Sequence, residues 1–278
     1  MAKAGTGEIG RRVLSSLVLA PGALAAAYFG GPAFAVVTAL VGAGVVFEWC
    51  RMASSRTIAP VAILGVMTVG GAVATTSLLG PWAGAGAAAG GALTVLAAAY
   101  RFGAPPIWSA CGVLYPSAAC IALLSLRLEP ESGRALVFWL FLTVWASDIG
   151  AYALGRAVGG ARLAPRISPG KTVSGAIGGV ILALLIAWLA GIALSAVGWL
   201  PEPPPLALSL PVAFAVALGA QGGDLIESAI KRRFRVKNSG ELIPGHGGLF
   251  DRLDSLLAAS LVLGLIRTLF GDPLAVAP

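Results

Sequence analysis

Charge is scarce in this 278-residue chain: Asp, Glu, Lys and Arg make up 11% of it, against about 25% in an average soluble domain. Hydrophobic residues make up 58%, and the mean hydropathy is +0.89. A soluble fold of this length could not cover so much apolar surface, so the acceptable solvent is lipid. Histidine is scarcer still, with a single copy. That excludes a zinc site built on a His cluster and a two-His metalloprotease. Cys50, Cys111 and Cys120 lie in apolar stretches without a CxxC spacing and read as buried small hydrophobes. No Gly-x-Ser-x-Gly elbow is present, which leaves Ser/His/Asp hydrolysis only the isolated His246. The basic residues lack interleaved stacking aromatics. The formal charge of +7 therefore speaks for loops facing anionic lipid, with no nucleic acid as partner.

Long apolar runs are what the chain has in abundance. Hydropathy predicts nine spans, at roughly 13–29, 33–50, 58–79, 81–100, 107–125, 135–155, 172–200, 205–223 and 254–270. Gly30-Gly31-Pro32, Gly80-Pro81, Pro105-Pro106 and the Pro201-to-Pro205 stretch punctuate them. A hydrocarbon core of ~30 Å needs about 20 helical residues, and each run is long enough. Only helices and closed barrels span lipid, and these runs lack a barrel's alternation. The expected fold class is all-α, a polytopic membrane protein of about nine transmembrane helices. Arg11 and Arg12 before the first run imitate a secretory signal, but hydrophobicity resumes directly after Pro32, so the run reads as an uncleaved span. The expected organisation is 1–130 as N-terminal transmembrane helices and 131–278 as a C-terminal catalytic region, forming one structural unit.

Loops 2–3, 4–5, 6–7 and 8–9 hold 13 of the 19 Lys and Arg residues, from Arg51 to Arg252. The positive-inside rule places them in the cytoplasm, while Lys3, Arg11 and Arg12 weigh the other way for the N-terminus. The spacings Gly86/Gly90 and Gly175/Gly179 suit close helix approach, within the chain or at a dimer face.

Ionisable residues in or beside a span are costly and therefore functional candidates. They gather in two stretches. The first runs from Ser147-Asp148 through Tyr152, one helical turn on, to Ser168-Pro169-Gly170-Lys171-Thr172. Between them lie Arg156, Arg162 and Arg166 with no acid. A helix N-terminus with an adjacent lysine is an anion site, although an ordinary positive-inside loop would look the same. The Gly-Lys-Thr is no P-loop: Pro165 stands where a glycine is needed, and no strand is predicted before it.

The second stretch runs from Gly222 to Asp254. Asp224, Glu227 or Ser228, and Lys231 fall on one helix face, and Asp251, Asp254 and Ser255 fall on another. A solvated charge run is the plain alternative. Against it, acids and bases alternate within a glycine-punctuated segment, and carboxylates sit at the lips of two consecutive helices. Such a pattern suits phosphate chemistry with a hard cation, which takes oxygen ligands from carboxylates, phosphates and water. His246 can hold the Pro244-to-Gly248 turn, touch a phosphate or carry a proton.

Ser228-Ala-Ile-Lys231-Arg232, Lys237 and Ile243-Pro-Gly-His246-Gly-Gly-Leu-Phe-Asp251-Arg252-Leu-Asp254 together resemble the signature of the phosphatidate cytidylyltransferase (CDP-diacylglycerol synthase) family. Asp148-Ile-Gly-Ala-Tyr152 and Leu163 to Thr172 are similar to that family's second conserved stretch. The resemblance covers most of residues 145–260. It departs at Asn238, where the family usually has Asp, so no ligand role carries over to that position.

The resemblance implies formation of CDP-diacylglycerol and pyrophosphate from CTP and phosphatidic acid at the cytoplasmic face of the cell membrane. It also implies Mg²⁺, a monovalent cation such as K⁺ in a paired site, and a homodimer. Carried over residue by residue, Asp224 and Asp251 become the first metal carboxylates, with Asp148, Asp254 and Glu227 as further ones. Lys231 and His246 join Asp224 and Asp251 as catalytic candidates. Ser168, Lys171, Thr172, Arg232, Lys237 and Arg252 become binders of lipid and nucleotide phosphates. A CTP-dependent polyprenol kinase and a lipid or anion transporter are the alternatives. The transporter would place its polar residues near the bilayer midplane in broken helices. A CDP-alcohol phosphotransferase lacks its Asp-Gly…Ala-Arg…Gly…Asp…Asp array here.

Overall fold

The structure is a computed structural model and describes residues 21–54, 59–243, 247–272 and 274. Among them, eight helices are long and apolar enough to cross a membrane: α1 (Gly31–Ala53), α2 (Ala59–Leu79), α3 (Pro81–Phe102), α4 (Pro106–Arg127), α5 (Gly133–Val158), α6 (Val173–Ala196), α7 (Leu206–Arg233) and α8 (Phe250–Phe270). Residues 21–29 are also helical. They close the first expected span, whose earlier part lies outside the described residues. The all-α expectation holds. The helices begin where the punctuation places them: Pro32 and Pro81 sit in first turns, entered from Gly30 at φ 69 and Gly80 at φ 92, a region open to glycine. Large apolar side chains such as Leu78, Trp82, Tyr100 and Phe270 stay on the surface, as lipid-facing helices require.

Two boundaries differ from the hydropathy reading. Helix α7 runs ten residues past position 223 to Arg233, because its polar end keeps helical geometry after the apolar run stops. Helix α8 starts at Phe250, so Asp251 as well as Asp254 is helical. A third difference is a short antiparallel hairpin, β1 (Arg162–Ala164) with β2 (Ser168–Thr172), where the sequence suggested a loop without strands. The Gly-Lys-Thr lies in β2 itself, so its residues cannot form a phosphate-wrapping loop between strand and helix.

The chain groups into two compact units, one of Met1–Leu124 with Arg233–Leu253, the other of Ser125–Arg232 with Asp254–Pro278. In the first, α2 packs against α1 and α3. Small residues make the α2–α3 approach: Gly84 faces Thr76 and Gly91 faces Thr68, and both threonine hydroxyls donate back to their own helix, to Ala72 O and Leu64 O at 2.7 Å. An aromatic trio of Trp49, Tyr115 and Phe250 packs within this unit, with centroids 5.6–6.3 Å apart.

In the second unit α5 and α6 lie against each other along glycines. A Cβ on Gly175 would stand 2.7 Å from Ala151 O, and one on Gly179 2.7 Å from Ser147 O. The Gly175/Gly179 spacing thus serves packing within the chain, whereas a Cβ on Gly86 or Gly90 would meet nothing within 4 Å.

Candidate active site

The second unit gathers its polar residues at one end, where α5 and α7 finish and α6 and α8 begin. Asp224 and Glu227 lie three apart on α7, which puts both on one face. Asp254 comes from the first turns of α8. Each of the three offers a carboxylate oxygen within 4.8 Å of the other two. Gly223 makes this approach feasible: a side chain there would collide with the Asp254 carbonyl and with Ala258. Asp148 on α5 accepts a hydrogen bond from Ser255 Oγ at 3.4 Å and is exposed.

Cations stand beside these acids. Lys171 Nζ is 2.6 Å from Asp224 Oδ2, and Lys231 Nζ is 2.7 Å from Glu227 Oε2. Glu227 is only 1% exposed, so that i,i+4 pair is held largely out of water. The hairpin places Lys171. Its end is fixed by Thr172, which caps α6 by accepting the Gly175 N–H at 3.1 Å. Arg232 Nε donates to Ile167 O at 3.2 Å and holds the hairpin turn against α7. One turn before Asp224, Gln221 Nε2 donates to Ala176 O at 3.0 Å and to Ser147 Oγ at 3.4 Å, tying α5, α6 and α7 together. Neither Gln221 nor its partner Ser147 was singled out as a site residue from the sequence. A glutamine among apolar residues one turn from Asp224 was the available signal.

The signature segment belongs to the first unit and has its own organisation. Asp251 Oδ2 accepts the Ser239 N–H at 3.0 Å and the Gly248 N–H at 3.1 Å. Glu48, on α1, accepts from Ser239 Oγ at 3.0 Å, Leu249 N–H at 2.9 Å and Phe250 N–H at 2.9 Å. A glycine-rich turn can aim its backbone donors at phosphates. At Gly248, Leu249 and Phe250 the structure aims them at the chain's own carboxylates. Lys237, Asn238 and Arg252 are exposed. His246 lies outside the described residues, as do Pro244 and Gly245.

Of the sequence candidates, the structure brings Asp224, Glu227, Asp254, Asp148, Lys171, Lys231, Arg232, Ser168 and Thr172 to one end of the second unit. Asp251, Lys237 and Arg252 lie on the signature segment. The donor set fits a hard divalent cation: three carboxylates offer oxygen ligands, and among the described residues no thiolate or imidazole joins them.

A family model described as "Cytidylyltransferase family" matches residues 10–270. The chain belongs to the cytidylyltransferase family. Among similar proteins is the phosphatidate cytidylyltransferase of Brucella suis biovar 1 (strain 1330), 35% identical over 267 residues that cover 94% of each chain. That of Bacillus subtilis (strain 168) is 40% identical over 53% of this chain and 52% of its own. That of Haemophilus influenzae is 44% identical over 49% of each. As a family member the chain unites multiple membrane helices with an acidic cluster flanked by lysines. A nucleotidyl transfer between anions needs that composition, since the main barrier is charge repulsion.

Proposed function

We propose that this protein is a membrane phosphatidate cytidylyltransferase, joining CTP and phosphatidic acid to give CDP-diacylglycerol and pyrophosphate for phospholipid synthesis. The observation that carries the reading is the cluster of Asp224, Glu227 and Asp254 with Lys171 and Lys231 at its edge, in a chain whose family match spans nearly its whole length. The lipid phosphate is already an anion near neutral pH, so no strong general base is required. Its oxygen attacks the α-phosphorus of CTP in line, forming the new P–O bond. The bond from that phosphorus to the β-phosphate oxygen breaks, and pyrophosphate leaves with the electron pair.

Asp224, Glu227 and Asp254 would hold Mg²⁺, which when bound offsets phosphate charge as a Lewis acid. Asp148, which accepts from Ser255 on α8, would help hold a monovalent cation such as K⁺. Lys171 binds phosphate oxygen from the hairpin side, and Lys231 balances the buried Glu227 charge. Ser168 and Arg232 shape the hairpin that presents Lys171. Lys237 and Arg252, on the signature segment, bind phosphate through exposed cationic heads. The Lys/Arg bias supports a cytoplasmic position for these basic loops, where CTP is available. The protein works in the cell membrane as a homodimer.

The testing experiment is turnover by purified protein in detergent micelles with CTP and phosphatidic acid, with and without excess chelator. CDP-diacylglycerol should form only when a divalent ion is present. Phosphorylation of a polyprenol alcohol, with no product from phosphatidic acid, would replace this reading by the lipid kinase.

A further inference from the structure

Glu48 is a carboxylate buried to 1% exposure near the C-terminal end of an apolar helix, α1, far in sequence from every residue of the signature. A buried carboxylate persists only where its oxygens are well satisfied. Here three donors satisfy it, and all three come from the segment 239–250. Ser239 Oγ stands at one end of that segment, and the N–H groups of Leu249 and Phe250 stand at the other. The latter two open α8, where backbone donors have no partner within the helix. Glu48 therefore caps α8 from another helix, with its charge at the helix's positive end.

The neighbours of Glu48 serve the same contact. Trp49 lies 5.6 Å, centroid to centroid, from the Phe250 ring, so one residue pair on α1 holds both the backbone and the side chain of Phe250. Trp49 is itself fixed by donating Nε1–H to Trp108 O at 2.9 Å. Gly240 borders the Glu48 carboxylate so closely that a Cβ there would stand 2.5 Å from Oε1. Ser239 also links the two carboxylates of the segment: its Oγ donates to Glu48 while its N–H donates to Asp251. Asp251 N–H completes the circuit by donating to Ser239 Oγ at 3.3 Å.

We propose that Glu48 is a positioning residue for cytidylyl transfer: by binding Ser239, Leu249 and Phe250 together it ties the two ends of the signature segment to one another and sets the orientation of Asp251. At 1% exposure Glu48 is shielded from substrate. It acts through the backbone of the segment that carries Lys237, Asp251 and Arg252, and the proposal rests on the phosphatidate cytidylyltransferase reading for its catalytic consequence.

The test uses the full-length protein in detergent and three variants: Glu48→Gln, Ser239→Ala and the double variant. Glu48→Gln keeps the side chain's shape but turns an acceptor oxygen into an NH₂ that faces a backbone donor. The expected result is a fall in kcat of about tenfold or more at saturating substrates, with the KM for phosphatidic acid within about threefold. The double variant should lose little beyond the worse single one, because both remove the same Ser239–Glu48 tie. Hydrogen exchange supplies a readout independent of substrate: a peptide spanning Gly248–Arg252 should lose protection in Glu48→Gln, while peptides from α5 and α6 keep theirs. A folded Glu48→Gln with kcat within twofold of wild type would overturn the positioning role. So would unchanged protection of Leu249 and Phe250. If the wild type makes no CDP-diacylglycerol, the functional reading fails, and the exchange result still decides whether Glu48 holds Leu249 and Phe250. Should Glu48→Gln not fold, Ser239→Ala alone must show the kcat fall and the exposed peptide, and normal values there refute the proposal.

Discussion

Lys171→Met separates a phosphate-binding role for Lys171 from a structural one. The Lys171 ammonium lies 2.6 Å from Asp224, but the two side chains keep 24% and 38% exposure. Water screens a pair so open, and such pairs contribute roughly 0.2–1 kcal/mol. For a chain of this size that corresponds to a thermal midpoint shift of about 2–4 °C at most. Methionine keeps most of the apolar stem, so packing changes little. The catalytic loss should be much larger. A cationic donor aimed at phosphate oxygen in a charge-developing transition state is worth about 2.7–4 kcal/mol, or about 10²–10³ in rate. The assay is initial-rate synthesis of CDP-diacylglycerol in mixed micelles, alongside a thermal melt of the same preparation. The expected pairing is a midpoint within about 4 °C and kcat/KM down at least about a hundredfold. A variant within threefold of wild-type activity would refute the role given to Lys171. A collapse of the midpoint with no loss per folded molecule would recast the lysine as structural.

Asp254→Asn removes one of three clustered carboxylates and should lower kcat by about a hundredfold or more, with a higher Mg²⁺ requirement in a metal titration. Asp251→Asn keeps an oxygen able to accept the Ser239 and Gly248 N–H groups, so its melt should match wild type. Its kcat should still fall about a hundredfold, because the family resemblance makes Asp251 a metal carboxylate in addition to Asp224, Glu227 and Asp254, and near-normal turnover would withdraw that role. Gly175→Leu forces a side chain into the Ala151 carbonyl and should destabilise the α5–α6 contact by about 1–3 kcal/mol or prevent folding. Gly86→Leu, facing open space, should melt normally and serves as its control. A cysteine at the exposed position Asn238, in a background lacking Cys50, Cys111 and Cys120, should react with an impermeant maleimide only after the cytoplasmic face is opened. Labelling of intact cells would invert the orientation.

The helices were legible because lipid imposes length and apolarity on each span separately, so every run could be read without knowing its neighbours. Asp224, Glu227 and Asp254 were legible for a related reason: helical spacing fixes which residues share a face, and consecutive antiparallel helices bring their lips together. What escaped was governed by contacts distant in sequence or by short elements. The hairpin at Arg162–Thr172 has one strand of three residues and one of five that contains Pro and Gly, so no alternation announces it. The end of α7 was hidden because hydropathy reports the bilayer boundary while the helix continues through it. Glu48 carried a signal, a lone acid within an apolar span, but its partners lie 191 to 202 residues away and leave no local pattern. For the same reason the engagement of Gly248, Leu249 and Phe250 with protein carboxylates could not be read from a glycine-rich turn.

The most direct measurement follows two labels in CTP, one on the α-phosphorus and one on the γ-phosphorus, during incubation with phosphatidic acid and Mg²⁺. Cytidylyl transfer predicts that the α label enters the lipid extract while the γ label appears in pyrophosphate, in equal amounts. Recovery of the γ label in the lipid, with CDP in the aqueous phase, would mean phosphoryl transfer and would contradict the account.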